Sequence, residues 1–172
     1  RDAIPCQLVI ADTGSTDGTR EVAEKYADIL FDFEWIDDFA AARNAVLDRC
    51  SGQWFLMVDA DEYLDSDLSG FQTLLHKGQM QWPDVYGITG RNYASRDFSH
   101  SSYSDFLMLR LGRMQPGLRY KGTIHETLYK KNGTLTVDIL PQIIFHHDGY
   151  AFQTAEEQRK KCEGNLALLD KY

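Results

Sequence analysis

The chain has 172 residues, 43% of them hydrophobic and 26% charged, which fits one globular domain long enough to bury a real core. Its formal net charge of −8 argues against nucleic acid as the main partner, and no run of about 18 apolar residues is present to span a bilayer. Cys6, Cys50 and Cys162 match neither a zinc spacing nor a disulfide framework, and predict reduced thiols in a cytoplasmic protein. Leu8-Val9-Ile10-Ala11 reads as a short strand entering the loop Asp12–Thr19, which is rich in glycine and capping side chains. Thr19 or Asp17 caps the helix that follows, where Val22, Ala23 and Tyr26 recur at helical spacing. Ile29-Leu30-Phe31 reads as a second strand. Asp37 or Asp38 then opens a helix through Ala40, Ala45 and Leu47 that stops near Ser51-Gly52.

The run Trp54-Phe55-Leu56-Met57-Val58 reads as a strand buried on both faces, as in a parallel sheet. Asp59-Ala60-Asp61-Glu62 closes it abruptly. In open α/β sheets ligands bind at the carboxyl ends of strands, and acids concentrated there suit a hard divalent cation that carries a phosphate. For any one of these acids a helix cap is the alternative. Strand, helix, strand, helix, strand is a parallel α/β pattern.

The second half differs. Val85–Thr89 and Phe106–Leu111 read as strands, and Leu128–Lys130 with Leu135–Val137 flank Asn132-Gly133, a hairpin turn signal. Ile143–Phe145 is another strand, running into His146-His147-Asp148-Gly149-Tyr150. The segment from Thr154 to about Asp170 reads as a surface helix. Arg91, Arg96, Arg110, Arg113, Arg119 and Lys121 gather in one third of the chain, a local basic segment that suits an anionic small-molecule substrate. Arg110 and Arg113 can offset charge on a leaving group. Tyr93, Phe98, Tyr103 and Tyr120 read as packing rather than sugar stacking. If the strands ending at Asp12 and Asp59 are parallel neighbours, Asp12, Asp59 and Asp61 point into one crevice, with backbone N–H groups on one side and carboxylates on the other.

The segments Val9–Thr19, Asp38-Phe39-Ala40-Ala41-Ala42-Arg43-Asn44 and Trp54–Glu62 resemble the successive motifs of family two glycosyltransferases of the GT-A fold, the third being their D-x-D motif. Gly122-Thr123-Ile124-His125-Glu126 and His147-Asp148-Gly149-Tyr150 resemble the G-x-I-H-E and H-x-G-Y segments of a bacterial branch. The resemblance implies an α/β Rossmann-like mixed sheet flanked by helices. It implies a catalytic domain over residues 1–150, with a nucleotide-binding half over 1–84 and an acceptor-side half over 85–150, and a helix over 151–172 leading out of it. Members normally begin with one further strand beside the Asp12 strand. This sequence starts after that point, and loss of a strand inside the sheet would expose edges on its two neighbours.

The implied activity is transfer of a sugar from a nucleotide-diphosphate donor, a UDP-sugar or related nucleotide sugar, to a hydroxyl of a carbohydrate, lipid-linked or protein acceptor, most often with inversion. By motif position, Asp12 contacts the base or ribose, with Thr13, Gly14 and Ser15 in the same loop, and Arg43 faces the diphosphate. Asp59 lies against the ribose and metal shell, and Asp61 is the principal ligand of Mn²⁺ or Mg²⁺. Inverting transfer needs a base for the acceptor hydroxyl; Glu126 is the expected base, and His125 either orients it or touches phosphate. His147 can complete the metal's coordination, while His146 points the opposite way along an extended strand. The rival readings are a nucleotidyltransferase, which releases pyrophosphate instead of nucleoside diphosphate, and an inactive nucleotide- or carbohydrate-binding fragment.

Overall fold

Short apolar runs alternating with capped helices build the first half of the chain. In a computed structural model that describes residues 5–64, 82–93, 103–147 and 154–169, β1 (Val9–Asp12) and β2 (Ile29–Asp32) pair in parallel, Val9 opposite Ile29. Between them runs α1 (Thr19–Tyr26). Its N-cap is Gly18, in the left-handed region at φ 86° with no side-chain cap, in place of the expected Thr19 or Asp17; the Asp17 carboxylate accepts from the backbone N–H of Thr19 at 3.2 Å and from its hydroxyl at 2.7 Å. The second helix, α2 (Phe39–Leu47), is capped by Asp38, whose Oδ1 accepts from the Ala41 N–H at 2.8 Å. Of the two aspartates expected to open it, Asp38 does so, and Asp37 sits before it in the left-handed region at φ 60°.

A five-stranded sheet forms the body. Its strands are β3 (Trp54–Leu56), β4 (Glu62–Leu64), β5 (Val85–Tyr93), β6 (Tyr103–Arg113) and β9 (Val137–His147), in the spatial order β3-β6-β5-β9-β4. β5 and β9 pair in parallel and the other pairs are antiparallel, so the sheet is mixed, as the GT-A resemblance implies. β7 (Leu118–Lys121) and β8 (Thr127–Lys130) form a separate antiparallel hairpin. Last comes α3 (Ala155–Leu169), where the Thr154 hydroxyl accepts from the Glu157 N–H at 3.1 Å and caps the start.

Two sequence expectations are corrected. β3 is not a parallel strand buried on both faces: it pairs antiparallel with β6, and Leu56 and Val58 are 37% and 46% exposed. A continuous apolar run records hydrophobicity but not the direction of the neighbour. The Asn132-Gly133 turn does not close a hairpin. β8 pairs with β7 across the Gly122–Glu126 loop, and Val137 instead begins β9 beside β5; Gly133 supplies a positive φ of 90° at a change of direction between two sheets. Asp148–Tyr150, Arg96 and Phe98 lie outside the described residues.

The five-stranded sheet buries a cluster on each face. Ala40 and Leu47 of α2, with Leu118, Tyr120 and Leu128 of the β7–β8 hairpin, cover Phe55, Met57 and Val85. Tyr86, Ile88, Met108, Leu111, Ile143 and Phe145 form the other cluster. Each such side chain contributes about 1.5–3 kcal/mol when fully buried. Among the described residues β1 pairs with β2 alone and β3 with β6 alone. Among the same residues no helix is long and apolar enough to cross a membrane.

Candidate active site

The carboxyl end of β3, the start of α2 and the loop of the β7–β8 hairpin converge on a cleft of about 620 Å³. Their relative placement is fixed by backbone contacts. The Phe39 N–H donates to the Thr123 carbonyl at 2.9 Å. The Asn44 side chain pairs with the main chain of Tyr120 as a strand would, donating to its carbonyl and accepting from its N–H, each at 2.9 Å. Neighbouring Arg43 is thereby held over the cleft, 5.6 Å from the Tyr120 ring centre.

Arg43 is the hub. Its Nε donates to Glu126 at 2.5 Å and its Nη2 to Asp59 at 2.8 Å, and its side chain is only 9% exposed. The expectation that Arg43 faces the diphosphate therefore meets a guanidinium already committed on two edges to carboxylates. Arg110 does the same from the other side, donating to Asp59 at 2.8 Å and to Glu62 at 3.1 Å. Arg110 reaches the cleft because the ladder is offset there: Tyr86 lies opposite Leu111 and Gly87 opposite Leu109, leaving Arg110 as an unopposed bulge residue. Such bulges re-aim a side chain beside a site. Arg113, expected alongside it, is exposed and pairs with Trp54 at the β3 edge.

The Asp59–Glu62 turn closes on itself. Glu62 N–H donates to the Asp59 carbonyl at 3.0 Å, and Asp59 N–H donates to the Glu62 carboxylate at 2.9 Å. Burial would raise the Asp59 carboxyl, but the hydrogen bond from Arg110 and the charges of Arg43 and Arg110 outweigh it and hold it at about 2. Glu62 shows the opposite balance, with burial pushing its carboxyl upward. Glu62 is a site residue that its position in the acidic cluster signalled but its role did not.

Asp61 points elsewhere. Its Oδ2 lies 2.9 Å from His147 Nε2, while His147 Nδ1 lies 2.7 Å from Asn92 Oδ1. The hydrogen bond and charge of Asp61 raise the imidazole's pKa, and the hydrogen bond from His147 lowers that of Asp61 despite burial. His146 faces the other way, as expected, between Tyr63 and Tyr93 with its Nδ1 2.7 Å from the Tyr93 hydroxyl. Among the described residues no three His, Cys, Asp or Glu side chains converge as a metal cage. The protein offers a pair, Asp61 and His147, and Asp59 is turned to two arginines. Two neighbouring ligands of a six-coordinate ion, each about 2.1 Å from it, stand about 3 Å apart, and such ions take their remaining ligands from water and substrate phosphates. The Asp61–His147 pair fits that chemistry.

His125 and Glu126 occupy the tip of the β7–β8 hairpin. Gly122 has φ 108°, and His125 stands in the left-handed region at φ 55°, a conformation a non-glycine residue seldom adopts and one that clusters at functional sites. Both residues line the cleft, and Glu126 is 12% exposed. Arg43 Nη1, Arg110 Nη1 and the Tyr120 hydroxyl are buried, and among the described residues none has a hydrogen-bond partner. Buried donors left unmade cost about 1–3 kcal/mol each.

The Asp12 loop stands apart. Asp12, Thr13, Gly14 and Ser15 are not among the residues that line this cleft. Asp12 Oδ1 accepts from the Ser15 N–H at 3.0 Å, and Oδ2 from Arg20 at 3.1 Å. Hydrogen bonds from Ser15, then Arg20, hold its carboxyl at about 2. Thr13, Gly14 and Ser15 are exposed. From the other end of the chain, Lys161 and Asn165 of α3 also line the cleft. They lie one helical turn apart on a helix whose sequence reads only as a surface element.

The family model described as "Glycosyl transferase family 2" matches residues 2–145. A TPR repeat-containing protein of Synechococcus elongatus is 29% identical over 94% of this chain and 41% of its own length. The SPbeta prophage-derived glycosyltransferase SunS of Bacillus subtilis is 21% identical over 95% of this chain and 38% of its own. The lipopolysaccharide core biosynthesis glycosyltransferase LpsC of Rhizobium meliloti is 39% identical over 36% of this chain and 24% of its own. The chain thus spans about two-fifths of the length of the first two of these relatives. With a family match over most of its residues and a mixed α/β sheet carrying the acidic turn at a strand exit, the chain belongs to glycosyl transferase family 2.

Proposed function

We propose that this cleft transfers a sugar from a nucleotide-diphosphate donor, a UDP-sugar in the first instance, to an acceptor hydroxyl with inversion at the anomeric carbon. The observation that carries the reading is the Arg43 bridge, which ties Glu126 to Asp59 beside the Asp61–His147 pair. One carboxylate for the acceptor proton and one for the donor shell are thereby held in a fixed relation. Asp61 and His147 are the residues that would hold Mn²⁺ or Mg²⁺. Such an ion, when bound, neutralises diphosphate charge and assists departure of the leaving group.

The chain's own groups supply the rest. Glu126 takes the proton of the attacking hydroxyl on Oε2, because Oε1 is occupied by Arg43. Arg43 and Arg110 line the cleft, and their guanidinium charges offset developing negative charge on the leaving group, a preorganised electrostatic effect among the largest contributors to catalysis. Arg43 and Arg110 hold Asp59 ionised. The Asp12–Ser15 loop is the candidate for the base and ribose. Carbohydrate, lipid-linked and protein hydroxyls all remain acceptor classes, since acceptor choice rests on variable loops of a shared fold.

The test is Asp61→Asn in the whole protein. Release of nucleoside diphosphate from the donor is expected to fall by at least about 100-fold, while the protein stays folded at the assay temperature by circular dichroism despite the lost Asp61–His147 contact. Retained turnover sinks the role given to Asp61. Pyrophosphate as the product would assign the cleft to nucleotidyl transfer instead.

A further inference from the structure

We infer that Asn92 is a positioning residue that fixes the ring of His147 so that Nε2, and not Nδ1, is presented on the Asp61 side of the cleft. The inference rests on the cation reading given above. Asn92, His147 and Glu62 stand in one row across three adjacent strands: Asn92 of β5 lies opposite His147 of β9, and His147 lies opposite Glu62 of β4. Residues in register on neighbouring strands share a face of the sheet. The row therefore brings the Asn92 amide against the imidazole edge, with Oδ1 2.7 Å from Nδ1.

A carbonyl oxygen can only accept, so the Nδ1 edge facing it carries the proton. With Nδ1–H committed, Nε2 is left either to carry a proton toward Asp61, 2.9 Å away, or to offer its lone pair to a cation in that position. Histidine ligands to metals nearly always have the second ring nitrogen anchored in this way, and loss of the anchor costs about 10–100-fold in metal affinity. The His147 side chain is 14% exposed, so the surrounding strands limit ring motion but do not choose which nitrogen faces out. Asn92 makes that choice. It belongs to no motif of the sequence, and only the parallel pairing of β5 with β9 brings it to the site.

The experiment is a Mn²⁺ titration followed by electron paramagnetic resonance of the free ion, with nucleoside diphosphate present, on the wild-type protein and on Asn92→Leu, Asn92→Asp, His147→Ala and Asp61→Asn. Asn92→Leu is expected to weaken Mn²⁺ binding by about 10–100-fold. Asn92→Asp keeps an acceptor at the same place and should stay close to wild type. A purely structural role for Asn92 would not be rescued by aspartate. Wild-type affinity in Asn92→Leu, with loss in His147→Ala and Asp61→Asn, overturns the role of Asn92 and leaves the cation reading standing. Wild-type affinity in His147→Ala and Asp61→Asn overturns both. Should Asn92→Leu fail to fold, nitrogen-15 spectra of the wild-type protein loaded with Zn²⁺ decide alone. A proton on Nδ1 of His147 supports the assignment, and one on Nε2 overturns it.

Discussion

Replacing Arg43 by methionine removes the guanidinium while keeping most of the aliphatic stem. Two contacts disappear, Nε to Glu126 at 2.5 Å and Nη2 to Asp59 at 2.8 Å. A hydrogen bond to a charged group contributes about 1.5–3 kcal/mol, but the two carboxylates are not equivalent. Glu126 is 12% exposed and Asp59 is 40% exposed, and Asp59 retains Arg110. Water screens the more exposed partner, so Glu126 carries most of the penalty. The expected loss is about 3 kcal/mol in total, a fall in melting temperature of roughly 6–12 °C for a chain of this length. Lysine is not a substitute, because one ammonium cannot present the planar fork that reaches both acids. Thermal unfolding by circular dichroism of wild type, Arg43→Met, Glu126→Ala and the double variant closes a double-mutant cycle. Its coupling energy should be at least about 1.5 kcal/mol. A coupling below about 0.5 kcal/mol, the level at which distant sites add, would refute the bridge as the device that holds Glu126.

Two further perturbations read other parts of the structure. Because the His147 pKa is raised above 6.5 and the Asp61 pKa lowered below 3.8 by their mutual contact, the pair stabilises the fold between those limits. Its contribution fades as pH rises through the raised histidine value or falls through the lowered aspartate value; His147→Ala should flatten both arms in urea midpoints measured with chelator across pH 3–9. Asp84 is 6% exposed and serves Lys130, Gln115 and the Thr136 N–H. Asp84→Ala should therefore cost about 3–5 kcal/mol by leaving buried donors unpaired, seen as a lowered unfolding midpoint, with a loss under about 1 kcal/mol contradicting that role.

Local signals in the sequence found the parts of this site that are local. Asp37-Asp38 before an alanine-rich run marked the start of α2 to within one residue, and the abrupt acids after Trp54–Val58 marked the turn that Arg43 and Arg110 clamp. The alternation along β9 separated His147 from His146. What the sequence withheld depends on pairing between distant strands. The direction of β3, the offset that throws Arg110 into the cleft and the parallel contact that seats Asn92 against His147 leave no periodic trace in any one segment. Nothing adjacent to Arg43 in the sequence announces partners 16 and 83 residues away. Asn44 stood beside it in the same motif, but its function, docking α2 on β7 through the Tyr120 main chain, needs the fold. Lys161 and Asn165 enter the cleft from a helix whose pattern shows only a charged surface.

Glu126→Gln in the whole protein tests the central assignment most directly, with donor binding and nucleoside diphosphate release measured on the same sample in the presence of Mn²⁺ and acceptor. The side chain keeps its shape and an oxygen for Arg43, so donor affinity should stay within about twofold of wild type, while transfer should fall by about 100- to 10,000-fold, the range for loss of a general base. Undiminished transfer by Glu126→Gln, or a parallel loss of donor binding and transfer, would contradict the assignment of this cleft's base.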